Sequence, residues 1–251
     1  MSGVASLAVA PASTMVQLAS PFACTDELAS PAAASSLAAR YERLMSERSV
    51  RTLLRRGGEV FLATERQPEE SVRVLIALGH RHFAEKYVQE ATGKWPGLRA
   101  ITPGLRLSDF GRLQTNKVRP ALALFDVIEG LDRPSLALAL QRKLADAGPR
   151  PSLYVQVNTG KEPQKGGLFP EDVGRFCAYC RDELGLSLAG LMAIPPRTAE
   201  PRAHFRRLRR LADESQLAGC SMGMSDDFEA AIDCGATLIR IGRAVFGATK
   251  G

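Results

Sequence analysis

From about residue 40 onward, short apolar runs alternate with longer segments in which apolar residues recur every three or four positions. A short apolar run is typical of a buried strand, whereas the wider spacing is typical of an amphipathic helix. The pattern predicts strands at residues 59–64, 80–84, 125–130, 152–158, 187–194, 217–222 and 236–242. Helical segments lie between them, so strand and helix alternate about eight times along the chain.

This alternation predicts a parallel sheet, because neighbouring parallel strands need a crossover connection. About eight such units in roughly 210 residues fit an α/β fold with a single (β/α)8 TIM-type barrel, and a doubly wound open sheet is the second possibility. We assign residues 40–251 to one barrel domain. Residues 1–39 contain no Lys or Arg and are rich in Ala, Ser and Pro, so we predict a disordered or weakly ordered tail there.

The net charge of +6 raises the possibility of an acidic partner. The densest basic cluster lies at residues 204–212, where Phe205, Leu208 and Leu211 share one face at helical spacing. The arginines then occupy the opposite, solvated face of a helix. Aromatic residues make up only 6% of the chain and form no RNA-binding motif, so we predict no nucleic-acid partner.

The five cysteines do not indicate a disulfide framework, because their number is odd and their spacing is irregular. This usage fits a reducing compartment. Cys177 and Cys180 form a C-x-x-C motif inside a predicted helix, but no two further ligands are evident nearby, so we predict no metal site. No apolar stretch approaches the ~20 residues that a membrane span requires.

The segments that follow the last two predicted strands have the composition of an anion site. Gly223 and Gly242 allow backbone N–H groups to approach a ligand closely, and Ser221 and Ser225 add hydroxyl donors. In a (β/α)8 barrel, phosphate commonly binds at these two loops. The alternative interpretation is that Ser225 is only the N-cap of the next helix, and the two acids that follow it would repel an anion.

Seven segments resemble, in the same order, the motifs of one protein family: residues 79–91, 113–120, 125–137, 158–167, 190–196, 221–232 and 235–247. The family is that of the pyridoxal 5′-phosphate (PLP) homeostasis proteins, which are single-domain relatives of the alanine racemase barrel. The resemblance covers roughly residues 59–248. It implies an alanine-racemase-like barrel, a cytoplasmic and usually monomeric protein, and binding of PLP without known catalytic turnover.

The resemblance also implies roles for individual residues. The phosphate would bind at the segment from Ser221 to Ser225 and around Gly242, and Arg240 would face the pyridine nitrogen. The cofactor-binding residues that it implies are Ser221, Met222, Gly223, Ser225, Arg240, Gly242 and Arg243.

The chain departs from the family at the first strand. In the family this strand ends V-S-K-T-K-P, and the first lysine forms a Schiff base with the cofactor aldehyde. Counted back from Pro68, that lysine position is Glu65 in this chain. A carboxylate cannot form a Schiff base, because the reaction needs an amine.

Other departures lie near the ends of the second, third and fourth strands. Lys86 stands where the family has asparagine, residues 107–114 lack its tryptophan and both of its histidines, and Glu129 replaces a further histidine. All the departures therefore lie at the mouth of strands one to four. Strands five to eight keep their motifs.

Three hypotheses follow for Glu65 and Lys86. The two side chains could form an ion pair that fills the vacated site, because strands one and two are neighbours in a barrel. Lys86 could instead be a relocated amine, although a lysine paired with a glutamate stays protonated and is not nucleophilic. Glu65 could also simply face solvent at the rim. His80 and His82 have no carboxylate orienter in the sequence nearby, and we interpret both as structural.

We predict a non-catalytic binder of PLP, or of a similar phosphorylated small molecule, in vitamin B6 homeostasis. Binding would be non-covalent because Glu65 replaces the Schiff-base lysine. One alternative is a protein-interaction module without a ligand, and another is a racemase-like enzyme that uses Lys86. The enzyme would lack both the lysine at position 65 and a second domain of ~100 residues. We expect no membrane partner and a monomer.

Overall fold

The computed structural model describes residues 31–144 and 150–247, and within these ranges eight parallel strands close into a barrel. Each strand pairs with the next in the chain, and the first pairs with the last. The strands are β1 (Glu59–Ala63), β2 (His82–Glu85), β3 (Arg106–Asp109), β4 (Val127–Leu131), β5 (Ser152–Gln156), β6 (Leu188–Met192), β7 (Gly219–Ser221) and β8 (Leu238–Ile241). The predicted (β/α)8 barrel is therefore confirmed.

Helices connect the strands and surround the barrel. Over the part of the chain that the structure describes, they are α1 (Pro31–Ser46), α2 (Arg48–Arg55), α3 (Glu69–Ala77), α4 (Val88–Ile101), α5 (Val118–Leu124), α6 (Pro134–Leu144), α7 (Val173–Ala178), α8 (Pro201–Glu214), α9 (Phe228–Asp233) and α10 (Arg243–Phe246). Short 3-10 turns precede α5 and α7, and a π-helical turn follows α7. Helix α8 buries Phe205, Leu208 and Leu211, as its spacing predicts.

The helix before the barrel begins earlier than the predicted domain boundary. Helix α1 starts at Pro31, and Leu37 is buried in the core beneath it. Helix α1 ends at Ser46, and Glu47, with a φ of −58° and a ψ of 136°, separates it from α2. Residues 1–30, which form most of the predicted tail, lie outside the described residues.

Strand β3 was not identified from the hydrophobic pattern. It contains only four residues, and Ser108 and Asp109 are polar although both are buried. The side chains of a strand alternate between its two faces, so Leu107 packs outward against the helices while its neighbours do not. Short strands with buried polar residues lack the apolar run on which pattern analysis depends.

The barrel has two apolar layers. The larger layer lies between strands and helices and includes Trp95 and Phe83, whose ring centroids are 5.1 Å apart. The smaller layer fills the barrel interior with side chains that include Phe61, Tyr154 and Leu238. In the described residues, no helix is long and apolar enough to cross a membrane.

Candidate functional site

The loops after β7 and β8 meet at one corner of the barrel mouth. The hydroxyl Oγ of Ser225 accepts a hydrogen bond from the backbone N–H of Ala244 at 3.1 Å. Arg243, which is exposed, donates to the carboxylate of Asp226 across the same two loops. Asp227 is the N-cap residue of α9, so the alternative in which Ser225 caps that helix does not apply.

This corner carries backbone donors without intramolecular partners. In the part of the chain that the structure describes, the N–H groups of Ser225, Gly242 and Arg243 have no acceptor. A Cβ at Gly242 would lie 3.6 Å from that of Ala63, an ordinary contact, so the space beside this N–H is open. Gly223 has a φ of +97°, which favours glycine. Free N–H groups beside a hydroxyl fit a bound anion such as a phosphate group.

Two predicted contacts of the phosphate lie elsewhere. Ser221 is fully buried, and its Oγ donates to Oε2 of Glu129 at 2.5 Å inside the barrel. Met222 is also fully buried and packs in the layer between strands and helices. The structure therefore does not bring the hydroxyls of Ser221 and Ser225 into one cradle, because Ser221 projects into the barrel interior while Ser225 lies on the loop beyond the strand.

Arg240 is held by a buried ion pair. Its Nη1 donates to Oε2 of Glu129 at 2.6 Å, and its Nη2 donates to the carbonyl of Ala193 at 3.2 Å. Both charged side chains are almost completely buried. Nε of Arg240 is buried without a partner among the described residues. The role of Glu129 has a signal in the sequence, because a glutamate within an apolar strand already indicates a buried cationic partner.

Glu65 and Lys86 form an ion pair at the rim of the mouth. Oε2 of Glu65 lies 3.9 Å from Nζ of Lys86, and their side chains remain 35% and 47% exposed. Exposed pairs at such distances contribute about 0–1 kcal/mol. The predicted contact is thus present, but it lies at the solvent-facing rim and does not fill the barrel interior.

Lys94 lies beside the residue that follows β1, and its side-chain nitrogen is fully hydrogen-bonded. Lys94 donates to the carboxylates of Glu85 at 2.9 Å and Glu90 at 3.0 Å, and to the carbonyl of Thr64 at 2.8 Å. Glu85 also accepts from Trp95 at 2.9 Å. These three hydrogen bonds use all three donors of the side-chain nitrogen, so Lys94 has a structural role.

His80, which lies just before β2, and His82, the first residue of β2, both have structural contacts. Nε2 of His80 lies 2.7 Å from the carbonyl of His82, so this nitrogen carries the proton, and Nδ1 faces the hydroxyl of Tyr41 at 3.4 Å. Burial lowers the pKa of His80 to about 4. His82 lies at the start of β2, 3.5 Å from Glu59 at the opposite end of the barrel from the mouth.

Comparisons with known proteins agree with this architecture. The family model for the alanine racemase N-terminal domain matches residues 67–250. A pyridoxal phosphate homeostasis protein of Aquifex aeolicus is 37% identical over 197 residues, which cover 75% of this chain and 86% of the relative. The protein of the same name in Pseudomonas aeruginosa is 41% identical over 187 residues, covering 72% and 80%.

Solved structures show the same fold. PipY of Synechococcus elongatus, a COG0325 family member solved with PLP bound, is 32% identical with a TM-score of 0.72, covering 86% of this chain and 100% of PipY. Alanine racemase of Bartonella henselae is 14% identical with a TM-score of 0.66, covering 87% of this chain and 61% of the racemase, and shows the fold alone. The chain belongs to the pyridoxal phosphate homeostasis protein family, whose barrel is that of the alanine racemase N-terminal domain.

Proposed function

We propose that this chain is a non-catalytic PLP-binding protein of vitamin B6 homeostasis, and that it binds PLP without a covalent bond. The observation that carries the proposal is the set of unpaired N–H groups at Ser225, Gly242 and Arg243. A phosphate group can accept several such hydrogen bonds at once, and bonds to a charged acceptor are stronger than neutral ones. The PLP-bound structure of PipY supports PLP as the ligand.

The residues divide into those that would contact the phosphate and those that support the site. Gly223, Ser225, Gly242 and Arg243 lie on the two loops and would hold the phosphate. Ser221, Met222 and Arg240 are buried and would position these loops from below.

The residue at the position of the Schiff-base lysine supports non-covalent binding. PLP supplies an aldehyde that reacts with deprotonated amines. Position 65 holds a carboxylate, and the side-chain nitrogens of Lys86 and Lys94 both lie in ion pairs with carboxylates. The racemase-like alternative would require Lys86 to act as a free amine.

We place this function in the cytoplasm, in a monomer that takes a small phosphorylated molecule. The cysteines at 177, 180, 220 and 234 are free thiols, as a reducing compartment favours.

The proposal is tested by PLP binding in equilibrium dialysis, followed by borohydride reduction and intact-mass measurement. We expect saturable binding by the native protein without a borohydride-stable adduct. Glu65→Lys should gain such an adduct, while the matched control Glu65→Gln should not. An adduct in the native protein that disappears in Lys86→Met would instead establish the relocated amine, and no PLP binding at all would leave the protein-interaction alternative.

The cradle itself is tested by Gly242→Ala. The added methyl group makes only ordinary contacts, so the variant should fold, but it would crowd the free N–H and weaken PLP binding by about tenfold. Gly174→Ala is the matched control, because a Cβ there has nothing within 4 Å in helix α7. Equal PLP affinity in the two variants would contradict the assignment of the cradle.

A further inference from the structure

A separate cavity of about 750 Å3 lies between the loops that follow β2, β3 and β4. None of its lining residues belongs to the loops after β7 and β8, which lie on another side of the barrel mouth. Its lining includes four cationic side chains: Lys86, Arg112, Lys117 and Arg133. Such a concentration of positive charge around one cavity favours an anionic ligand.

Three of these cations are only weakly compensated. Lys86 has its distant rim partner at 3.9 Å, and Arg112, which is 69% exposed, lies 3.7 Å from Asp132. Lys117 has no ion-pair partner among the described residues. Arg133 is different, because it donates to Asp132 at 2.5 Å and is neutralised by it. The cavity therefore presents more positive charge than its carboxylates neutralise.

Backbone donors add to this charge. Helix α4 begins at Val88 without a side-chain cap, and both Val88 and Gln89 line the cavity. The first N–H groups of a helix have no acceptor within it and carry partial positive charge. An anion in the cavity would supply the acceptor that these N–H groups lack among residues 31–144 and 150–247.

A buried carboxyl group in the cavity wall is also incomplete. Oδ1 of Asp109 accepts from the N–H of Gly111 at 3.0 Å, but Oδ2 is buried without a partner among the described residues. Buried polar atoms without partners are uncommon in native proteins and call for a bound group. Burial raises the pKa of Asp109 to about 7, with a smaller contribution from Glu129. In its protonated form this carboxyl adds no negative charge to the cavity wall.

We propose that this cavity is a second ligand site, which binds a small molecule carrying a phosphate or sulfate group. Arg112, Lys117 and Lys86 neutralise the anion, while the N–H groups at the start of α4 donate hydrogen bonds to it. The volume accommodates a molecule larger than the anion alone. The site is independent of the PLP cradle, with which it shares none of its lining residues.

The test uses sulfate, whose charge does not change near neutral pH, in calorimetric titrations of the native protein at constant ionic strength. We expect saturable sulfate binding that weakens by about tenfold in the double variant Arg112→Ala with Lys117→Ala, because two charged donors are lost. Arg119→Ala, an exposed change on α5, is the matched control and should bind like the native protein. Gly242→Ala should keep this sulfate site, which separates it from the cradle.

Two results of the calorimetric titrations would overturn the proposal. One is a native protein with no saturable sulfate binding, and the other is a double variant that binds as tightly as Arg119→Ala. Because a double variant can fail to fold, a crystal of the native protein soaked in selenate supplies the second measurement. Anomalous density beside Arg112 and Lys117 is expected, and selenate found only at the β7 and β8 loops would also exclude the site.

Discussion

Glu129 connects four strands inside the barrel through the hydrogen bonds that its carboxylate accepts. From β4 it accepts hydrogen bonds from Ser108 of β3, Ser221 of β7 and Arg240 of β8. One carboxylate thus connects strands from opposite sides of the barrel. It also fixes the guanidinium of Arg240 below the proposed cradle, so its charge matters for the site as well as for the fold.

Removing this charge should destabilise the protein strongly. Glu129→Gln leaves the buried Arg240 without a counter-ion, and breaking such pairs typically costs about 3–5 kcal/mol. Urea unfolding measures the loss. Glu214→Gln is the control, since its pair with Arg210 is exposed and should contribute about 1 kcal/mol or less. If the two variants lose equal stability, Glu129 does not have the role assigned to it.

A double replacement separates charge from packing. Glu129→Leu combined with Arg240→Met exchanges the ion pair for apolar side chains of similar volume, a change that is often neutral or stabilising. The double variant should therefore recover much of the stability that Glu129→Gln loses. Stability as low as that of the single variant would show that the hydroxyls of Ser108 and Ser221, and not the ion pair, dominate this network.

Helix α1 contacts α10 and so joins the two ends of the described chain. Arg40 on α1 donates from Nε to the carbonyl of Val245 at 2.6 Å and from Nη2 to that of Phe246 at 3.4 Å. These carbonyls belong to the last turn of α10, where a cation is favoured by the helix dipole. Helix α1 therefore stabilises the short helix that follows the proposed cradle.

Arg40→Met should loosen both helices while leaving the strands intact. The methionine keeps an apolar stem but loses the two charge-assisted hydrogen bonds to α10 and a third to Ser36, and we expect about 1–2 kcal/mol of lost stability. Hydrogen exchange should accelerate in α1 and α10 and stay unchanged in the barrel strands. Arg43→Met, an exposed change on the same helix, is the control. Unchanged exchange in α10 would contradict the proposed link.

For the whole molecule, the sequence predicts the barrel well because alternating apolar runs and amphipathic segments are sufficient to indicate parallel strands with crossovers. It does not predict contacts that depend on side chains from distant strands. The pairing of Glu129 with Arg240 joins residues 111 positions apart, and no local pattern encodes it. Ser221 illustrates the same limit. The segment around it has the composition of an anion site, but its side chain points into the barrel.

The pH dependence of global stability also belongs to the whole molecule, because two buried groups act on it in opposite directions. Asp109 has a folded pKa of about 7 against an ordinary value of 3.8, so the folded state retains a proton that the unfolded state releases. The contribution of Asp109 to the free energy of unfolding therefore falls as pH rises from about 4 to 7. His80 has a folded pKa of about 4 against 6.5, so the unfolded state binds the extra proton and stability falls as pH drops through that window.

Asp109→Asn and His80→Gln should therefore alter the stability profile in opposite senses. Relative to the native protein, Asp109→Asn should gain stability as pH rises from 4 to 7, by up to roughly 4 kcal/mol, because the amide has no charge to bury. His80→Gln should gain relative stability as pH falls from 6.5 to 4, by up to roughly 3 kcal/mol. Urea unfolding at several pH values measures both differences, and comparison with the native protein cancels the other titrating groups. A difference that does not vary with pH would show that the group has the same pKa in the folded and unfolded states.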